Sequence, residues 1–217
     1  MFLAKGSLGF ILALFLFSAI LTLGSYVSGK ILLIGFTALC WLFLLFSLYF
    51  FRDPDRQIPD QENLIVSPAD GKVIAISEDF EPELFGHKVN RISIFMSVVD
   101  VHVNRIPIDG LVTHFSYYRG KFFPAFQDIA ATDNEQTVIG IENERCTIVF
   151  KQIAGILARR IVCEVRAGHR VVKGERFGLI KFGSRIDVFL PKDIEITVNV
   201  SDRVKGGESV IGKINEK

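Results

Sequence analysis

A serine directly follows a glycine at Gly183-Ser184, within KFGSRIDVFLP, between two apolar runs. Taken alone, the pair reads as a strand kink, with glycine permitting the turn and serine satisfying a nearby backbone group. It is no nucleophile elbow: Phe182 precedes the glycine and Arg185 follows the serine, so G-x-S-x-G is absent and ordinary hydrolase chemistry is not indicated. A second chemistry is open to the same pair. In a strained backbone, the Ser184 hydroxyl attacks the Gly183 carbonyl and turns the amide into an ester. Loss of the α-proton then expels the upstream chain by β-elimination, and hydrolysis of the resulting dehydroalanine leaves a pyruvoyl group. Glycine suits the scissile side because no Cβ hinders the attack or restricts the distorted φ/ψ.

The remaining candidates are less specific on their own. Asp70 in SPADG reads as a turn aspartate before glycine, and His102 in DVHVNR as a strand histidine. His87 and His169 sit beside glycines in apparent turns and read as surface residues. Cys40, Cys146 and Cys163 form neither a disulfide framework nor a metal-ligand spacing, so they read as structural filler in a reducing compartment. With no glycine-rich nucleotide loop, zinc spacing or nucleic-acid motif, neither a metal nor a nucleic-acid partner is expected.

The elements that must position these residues fall into two parts. At 49% hydrophobic residues, the chain is too apolar for an ordinary soluble domain. The excess is N-terminal: Ser7 to Gly29 and Ile31 to Phe51 carry no charge, and each suffices for a helix crossing a bilayer. Residues 1–52 are therefore expected to be a retained two-helix transmembrane hairpin turning at Gly24 to Lys30, with FRDPDRQIPD as the linker. Those 52 residues hold Lys5, Lys30, Arg52 and no acid, so the net +1 divides into +3 there and −2 in the rest. Lys5, Arg52 and Arg56 on one side against Lys30 in the turn favour a cytoplasmic C-terminal domain.

Residues 53–217 alternate in a strand-like way through GKVIAIS, RISIFMSV, GLVTHFSYY, QTVIGIE, CTIVFKQIA, RRIVCEV, GLIKFG, IDVFLP and EITVNV. A brief helical segment is expected around Pro124 to Ala131. PADGKV recurs as PIDGLV, and VKGERFGLI as VKGGESVIGKI, which suits a folded-over β-sandwich. The expected class is α+β, mainly β, with a barrel-sandwich-like domain behind the hairpin.

The blocks SPADGKV, DVHVNRIPIDG, GKFFPAFQDIAATDNEQ, IAGILARRIVCEV, KGERFGLIKFGSR and FGSRIDVFLP resemble, in order, those of the phosphatidylserine decarboxylase proenzymes, short bacterial and archaeal branch. The resemblance covers nearly the whole second part. It implies cleavage between Gly183 and Ser184 into a membrane-bound β subunit (1–183) and an α subunit (184–217) that begins with a covalent pyruvoyl group derived from Ser184. It further implies a Schiff base with phosphatidylserine, release of CO₂ and formation of phosphatidylethanolamine at the cell membrane. A homo-oligomer of such heterodimers is compatible with it.

By the same resemblance Asp70 is tied to self-cleavage, and His102 to orienting the substrate carboxylate and reprotonating the carbanion. One departure matters. The longer branch has a second histidine three residues on, linked to processing, where this chain has Arg105. The processing base is then His102, Asp70, water or another histidine such as His114. Asn104 and Arg105 become candidates for the lipid phosphate or the serine carboxylate, with a plain structural ion pair the equal alternative. Tyr117, Tyr118, Phe122, Phe123 and Phe126 suit either a headgroup layer or the core, and Arg159 and Arg160 either anionic headgroups or a strand flank. The rival readings are a membrane-tethered, carrier-like adaptor without catalysis, a soluble amino-acid decarboxylase, and a decarboxylase of another serine phospholipid such as archaetidylserine.

Overall fold

The computed structural model describes residues 2–80, 88–156, 161–180 and 183–215. His87, Arg159 and Arg160 lie outside the described residues. The chain divides into two compact units, Met1–Asp55 and Arg56–Lys217.

The first unit consists of β1 (Phe2–Leu3), α1 (Leu8–Ser28), α2 (Ile31–Phe50) and β2 (Arg52–Asp53). The two uncharged runs have become the two helices, each long and apolar enough to cross a membrane. Gly29 ends α1 in the left-handed conformation (φ 63°), its N–H donating to the Ser25 carbonyl. Burial here is inverted relative to a water-soluble hairpin. Ser18, Ser25, Thr37 and Ser47 are buried, whereas Leu16, Leu23, Leu32 and Leu45 face outward. Across the pair, Trp41 Nε1 donates to Thr22 Oγ1 at 3.0 Å. Small polar residues inside and large apolar ones outside are what a hydrocarbon solvent favours, and the unit is a membrane-associating one.

The second unit runs β3 (Leu64–Val66), β4 (Gly71–Phe80), β5 (Val89–Met96), β6 (Val103–Arg105), β7 (Gly110–Tyr118), α3 (Ala130–Asp133), β8 (Gln136–Glu142), β9 (Thr147–Ala154), β10 (Ile161–Cys163), β11 (Arg170–Val171), β12 (Arg176–Ile180), β13 (Ser184–Pro191), β14 (Ile194–Ile196), β15 (Arg203–Val204) and β16 (Val210–Ile214). An eight-stranded sheet has the order β11-β7-β8-β9-β13-β5-β4-β15, accompanied by two three-stranded sheets, β10-β12-β6 and β14-β16-β3. One core cluster draws on all three: Ile94, Phe150 and Ile186 from the large sheet, Phe177 and Ile180 from one small sheet, Ile65 and Ile211 from the other. This is the expected sandwich.

The sequence repeats are its two halves. Gly71 and Gly110 open β4 and β7, and at each a Cβ would run into the backbone of the neighbouring strand, at Phe95 or Glu142. Gly174 and Gly207 are both left-handed, at φ 79° and 80°, and at both a Cβ would press on the Ile58 side chain. Two expectations shift. The EITVNV run pairs only over Ile194–Ile196. Turns from Pro124 onward delay the helical segment to Ala130–Asp133.

Candidate functional site

Ser184 is the first residue of β13 and pairs with Met96 of β5 on one side and Ala154 of β9 on the other. Alternation along the strand sends its side chain to the core face with Ile186, Val188 and Leu190. The hydroxyl is fully buried and donates to the Met96 thioether at 3.2 Å. Gly183 holds φ 73°, while a Cβ there would meet nothing within 4 Å, so the position needs glycine for its backbone conformation rather than for space.

Space is what Gly155 supplies. A Cβ on this residue, which follows β9, would collide with the carbonyl oxygen of Gly183, the carbonyl that Ser184 is expected from the sequence to attack at its carbon. Gly155→Ala is expected to fold and to self-cleave about ten- to a hundredfold more slowly, the effect of about 1–3 kcal/mol of overpacking placed on the reaction barrier. A time course of the uncut band on denaturing gels measures it. An unchanged rate would mean that the carbonyl is not held there.

His102 is buried between the turn after β5 and the start of β6. Its Nδ1 lies 2.9 Å from the Asp100 carbonyl oxygen, and its Nε2 is 3.4 Å from the Gly183 nitrogen. A carbonyl only accepts, so Nδ1 carries the proton and Nε2 presents its lone pair to the Gly183 N–H. The Asp100 carboxylate secures this turn, accepting from Ser97 N at 2.9 Å and Ser97 Oγ at 2.6 Å, and pairing with Arg203 at 3.1 Å. The imidazole therefore arrives at the Gly183-Ser184 junction in one tautomer.

Asn104 reaches the same place. Its Nδ2 lies 3.7 Å from Met96 Sδ, the sulfur that also accepts from Ser184. Arg105, next along β6, alternates to the other side, where its Nη1 donates to the Gly174 carbonyl at 2.9 Å and its stem packs against Gly207. Asp70 accepts a bidentate pair of bonds from Arg56 Nη2, both at 2.8 Å, and one from the Gly206 N–H. It precedes β4, the strand beside β5, and its hydrogen bonds among the described residues go to Arg56 and Gly206 rather than to Ser184 or His102. His114 bonds Ser116 on β7, with β8 and β9 between it and β13. His169 is exposed in its turn, as expected. Burial raises the Cys146 thiol to about 11 and also pushes up Cys163, which fits filler rather than reactive thiols.

Burial also pushes the Asp70 carboxyl up from its ordinary value, against the opposing pull of Gly206 and Arg56. A raised folded-state value favours the folded state fully below the unfolded pKa, and the contribution is lost as pH rises through the raised value. Asp70→Asn removes that dependence. Thermal unfolding followed from below the ordinary carboxylate value to above the raised one should fall away less with pH in the variant than in the parent.

Met96 and Gly155 touch the junction, Gln152 and Thr137 connect to it through Asn104, and none of the four is singled out by motif. Gln152 had a signal: it shares the core-facing side of β9 with Ile148 and Phe150, where a polar residue needs a partner.

Proteins of one family resemble this chain along most of its length. The phosphatidylserine decarboxylase family model matches residues 43–212. A phosphatidylserine decarboxylase proenzyme of Syntrophus aciditrophicus (strain SB) is 51% identical over 169 residues, 77% of this chain and 79% of that protein. Proenzymes of the same description are 46% identical over 170 residues in Chlorobium phaeobacteroides (strain BS1), 78% of this chain and 79% of the relative, and 44% over 202 residues in Pelobacter propionicus, 91% of each. Similarity of this depth spans every strand that builds the Gly183-Ser184 junction, and the chain belongs to the phosphatidylserine decarboxylase family.

Proposed function

We propose that His102, Gly183 and Ser184 form the centre at which this chain cuts itself between Gly183 and Ser184, and that the matured protein converts phosphatidylserine to phosphatidylethanolamine, the reaction of its family. The observation that carries this reading is the His102 Nε2 lone pair turned to the Gly183 amide, beside a buried serine that follows a left-handed glycine. Ser184 Oγ adds to the Gly183 carbonyl carbon. His102 Nε2 takes the hydroxyl proton and returns it to the Ser184 nitrogen as the C–N bond breaks. Removal of the Ser184 α-proton then expels Gly183 as a carboxylate. The dehydroalanine left at 184 tautomerises, adds water and loses ammonia.

The residues at 184 fit a pyruvoyl group: a strand start anchored on both sides, a buried side-chain site, and a histidine beside it. That group supplies a carbonyl that takes up an amine and accepts the electron pair left by CO₂. His102 then has a second task, returning a proton to the α-carbon. Asp70 supports the centre as a positioning residue, clamping Arg56 and Gly206 next to the end of β5 that carries Met96.

The cut leaves the two products, 1–183 and 184–217, woven into one fold. The α product keeps β13 between β5 and β9, β15 on β4, and β16 on β3. Lipid access is supported by apolar residues where the strands around Ser184 end. Val98 and Val99 follow Met96, Ile156 follows Gly155, and Phe126 packs edge-on against Phe95, all four being exposed. The excess of Lys5, Arg52 and Arg56 over Lys30 favours the cytoplasmic side for the catalytic unit.

Intact-mass measurement on the membrane-expressed chain tests the reading. A fragment starting at position 184 should be lighter than its encoded sequence by one ammonia and blocked to N-terminal sequencing, and the preparation should release CO₂ from phosphatidylserine in detergent. One uncut, inactive band would favour a tethered adaptor instead.

A further inference from the structure

A line of buried polar side chains runs from β8 to the sulfur beside Ser184. Thr137 Oγ1 donates to Gln152 Oε1 at 2.7 Å, Gln152 Nε2 donates to Asn104 Oδ1 at 2.8 Å, and Asn104 Nδ2 lies 3.7 Å from Met96 Sδ. Thr137 is 2% exposed, and Gln152 and Asn104 not at all. The direction of the line is fixed at its far end. A thioether has no hydrogen to give, so Asn104 must turn its NH₂ to the sulfur and its oxygen to Gln152; Gln152 must then offer its NH₂ and receive the threonine hydroxyl. Strand β12 makes room for this arrangement at Gly178, where a Cβ would come within 2.9 Å of Gln152 Nε2.

The line ends on a mismatch. An amide donor is expensive to bury and here meets one of the weakest acceptors in proteins. Three ordered residues hold that poorly satisfied NH₂ beside the residue at which the substrate amine must react. The two arginines closest in sequence point elsewhere, Arg105 to the Gly174 carbonyl and Arg185 to Asp187 and Ser93 on the other face of β13.

We propose that Asn104 Nδ2 is the donor for the carboxylate of the substrate's serine head, and that Gln152 and Thr137 are positioning residues that keep its NH₂ turned inward. This deepens the decarboxylase reading and rests on it. The choice of a neutral donor has a chemical reason. Loss of CO₂ converts a charged carboxylate into a neutral molecule, so a guanidinium clamped on the reactant would stabilise it more than the transition state and raise the barrier. An amide beside a thioether orients the group at a smaller cost.

The test compares two lipids that share an amine but differ in the carboxylate. Matured protein is incubated with phosphatidylserine or phosphatidylethanolamine in detergent, reduced with borohydride, and the lipid adduct on the 184–217 fragment is quantified by mass. Asn104→Leu should raise the half-saturating phosphatidylserine concentration roughly tenfold or more, the effect of losing one hydrogen bond to a charged group, and leave that for phosphatidylethanolamine unchanged. Thr137→Val, remote from the lipid, should shift phosphatidylserine in the same direction by a smaller factor, and Thr137→Ser should restore it.

Self-cleavage on the gel reports folding independently for every variant. If Asn104→Leu fails to cut, Thr137→Val against Thr137→Ser carries the decision alone. Equal shifts for both lipids, or none for either, overturn the relay. A parent protein that neither cuts nor traps either lipid overturns the decarboxylase reading itself.

Discussion

Ser184→Ala is expected to accumulate as a single uncut chain with no decarboxylase activity, the whole rate enhancement of about 10⁶-fold or more being lost. The substitution is mild for the fold. Position 184 contributes to the sheet through its backbone, paired with Met96 and Ala154, and the hydroxyl's described bond goes to a thioether. Alanine fills the site without stranding a strong donor or acceptor, so stability should move by less than about 1 kcal/mol. Only the nucleophile disappears. Without it Gly183 cannot be passed to an ester, and no ketone forms at 184. Gel electrophoresis, intact mass and a thermal melt separate this outcome from misfolding. Cleavage at the same bond in the alanine variant would mean that another group attacks Gly183.

The parts of this picture that were legible in the sequence are those that depend on local chemistry. The hairpin follows from two uncharged runs, and the expectation of a reactive Gly183-Ser184 junction from the ordered family blocks around a pair that alone reads as a strand kink. The sandwich follows from alternation and from two repeats, which prove to be related halves meeting at Ile58. What stayed hidden depends on register. That Ser184 faces Met96 is decided by the pairing of β13 with β5, and that Gln152 meets Asn104 by the stacking of β6 over β9; neither contact has a local cue. Gly155 looks like any loop glycine until its missing Cβ is seen to clear the Gly183 carbonyl. Arg105 illustrates the converse. Its place in the HVNR block suggested either an anion site or a structural contact, and strand alternation turns it from Asn104 toward the Gly174 carbonyl. Asp70 is similar, a motif aspartate whose described partners are Arg56 and Gly206.

His102→Ala is expected to lose both self-cleavage and turnover, each by about 10²–10⁴-fold, the usual contribution of a general base. The argument is geometric. With Arg105 where the longer branch has a histidine, and His114 beyond β8 and β9, His102 is the one histidine among the described residues bonded to Gly183. Its Nδ1 proton is committed to the Asp100 carbonyl, so any proton accepted from Ser184 must go to Nε2. A second substitution separates basicity from orientation. His102→Gln places an oxygen near the former Nε2, able to accept from the Gly183 N–H but unable to take a proton. Both variants should therefore remain uncut over times in which the parent matures, despite similar melting temperatures. If His102→Gln cuts at the parental rate, the imidazole serves only to orient the junction, and the proton from Ser184 goes to water or to Asp70. If His102→Ala matures normally but cannot turn over phosphatidylserine, the processing role is removed and the proton-return role stands.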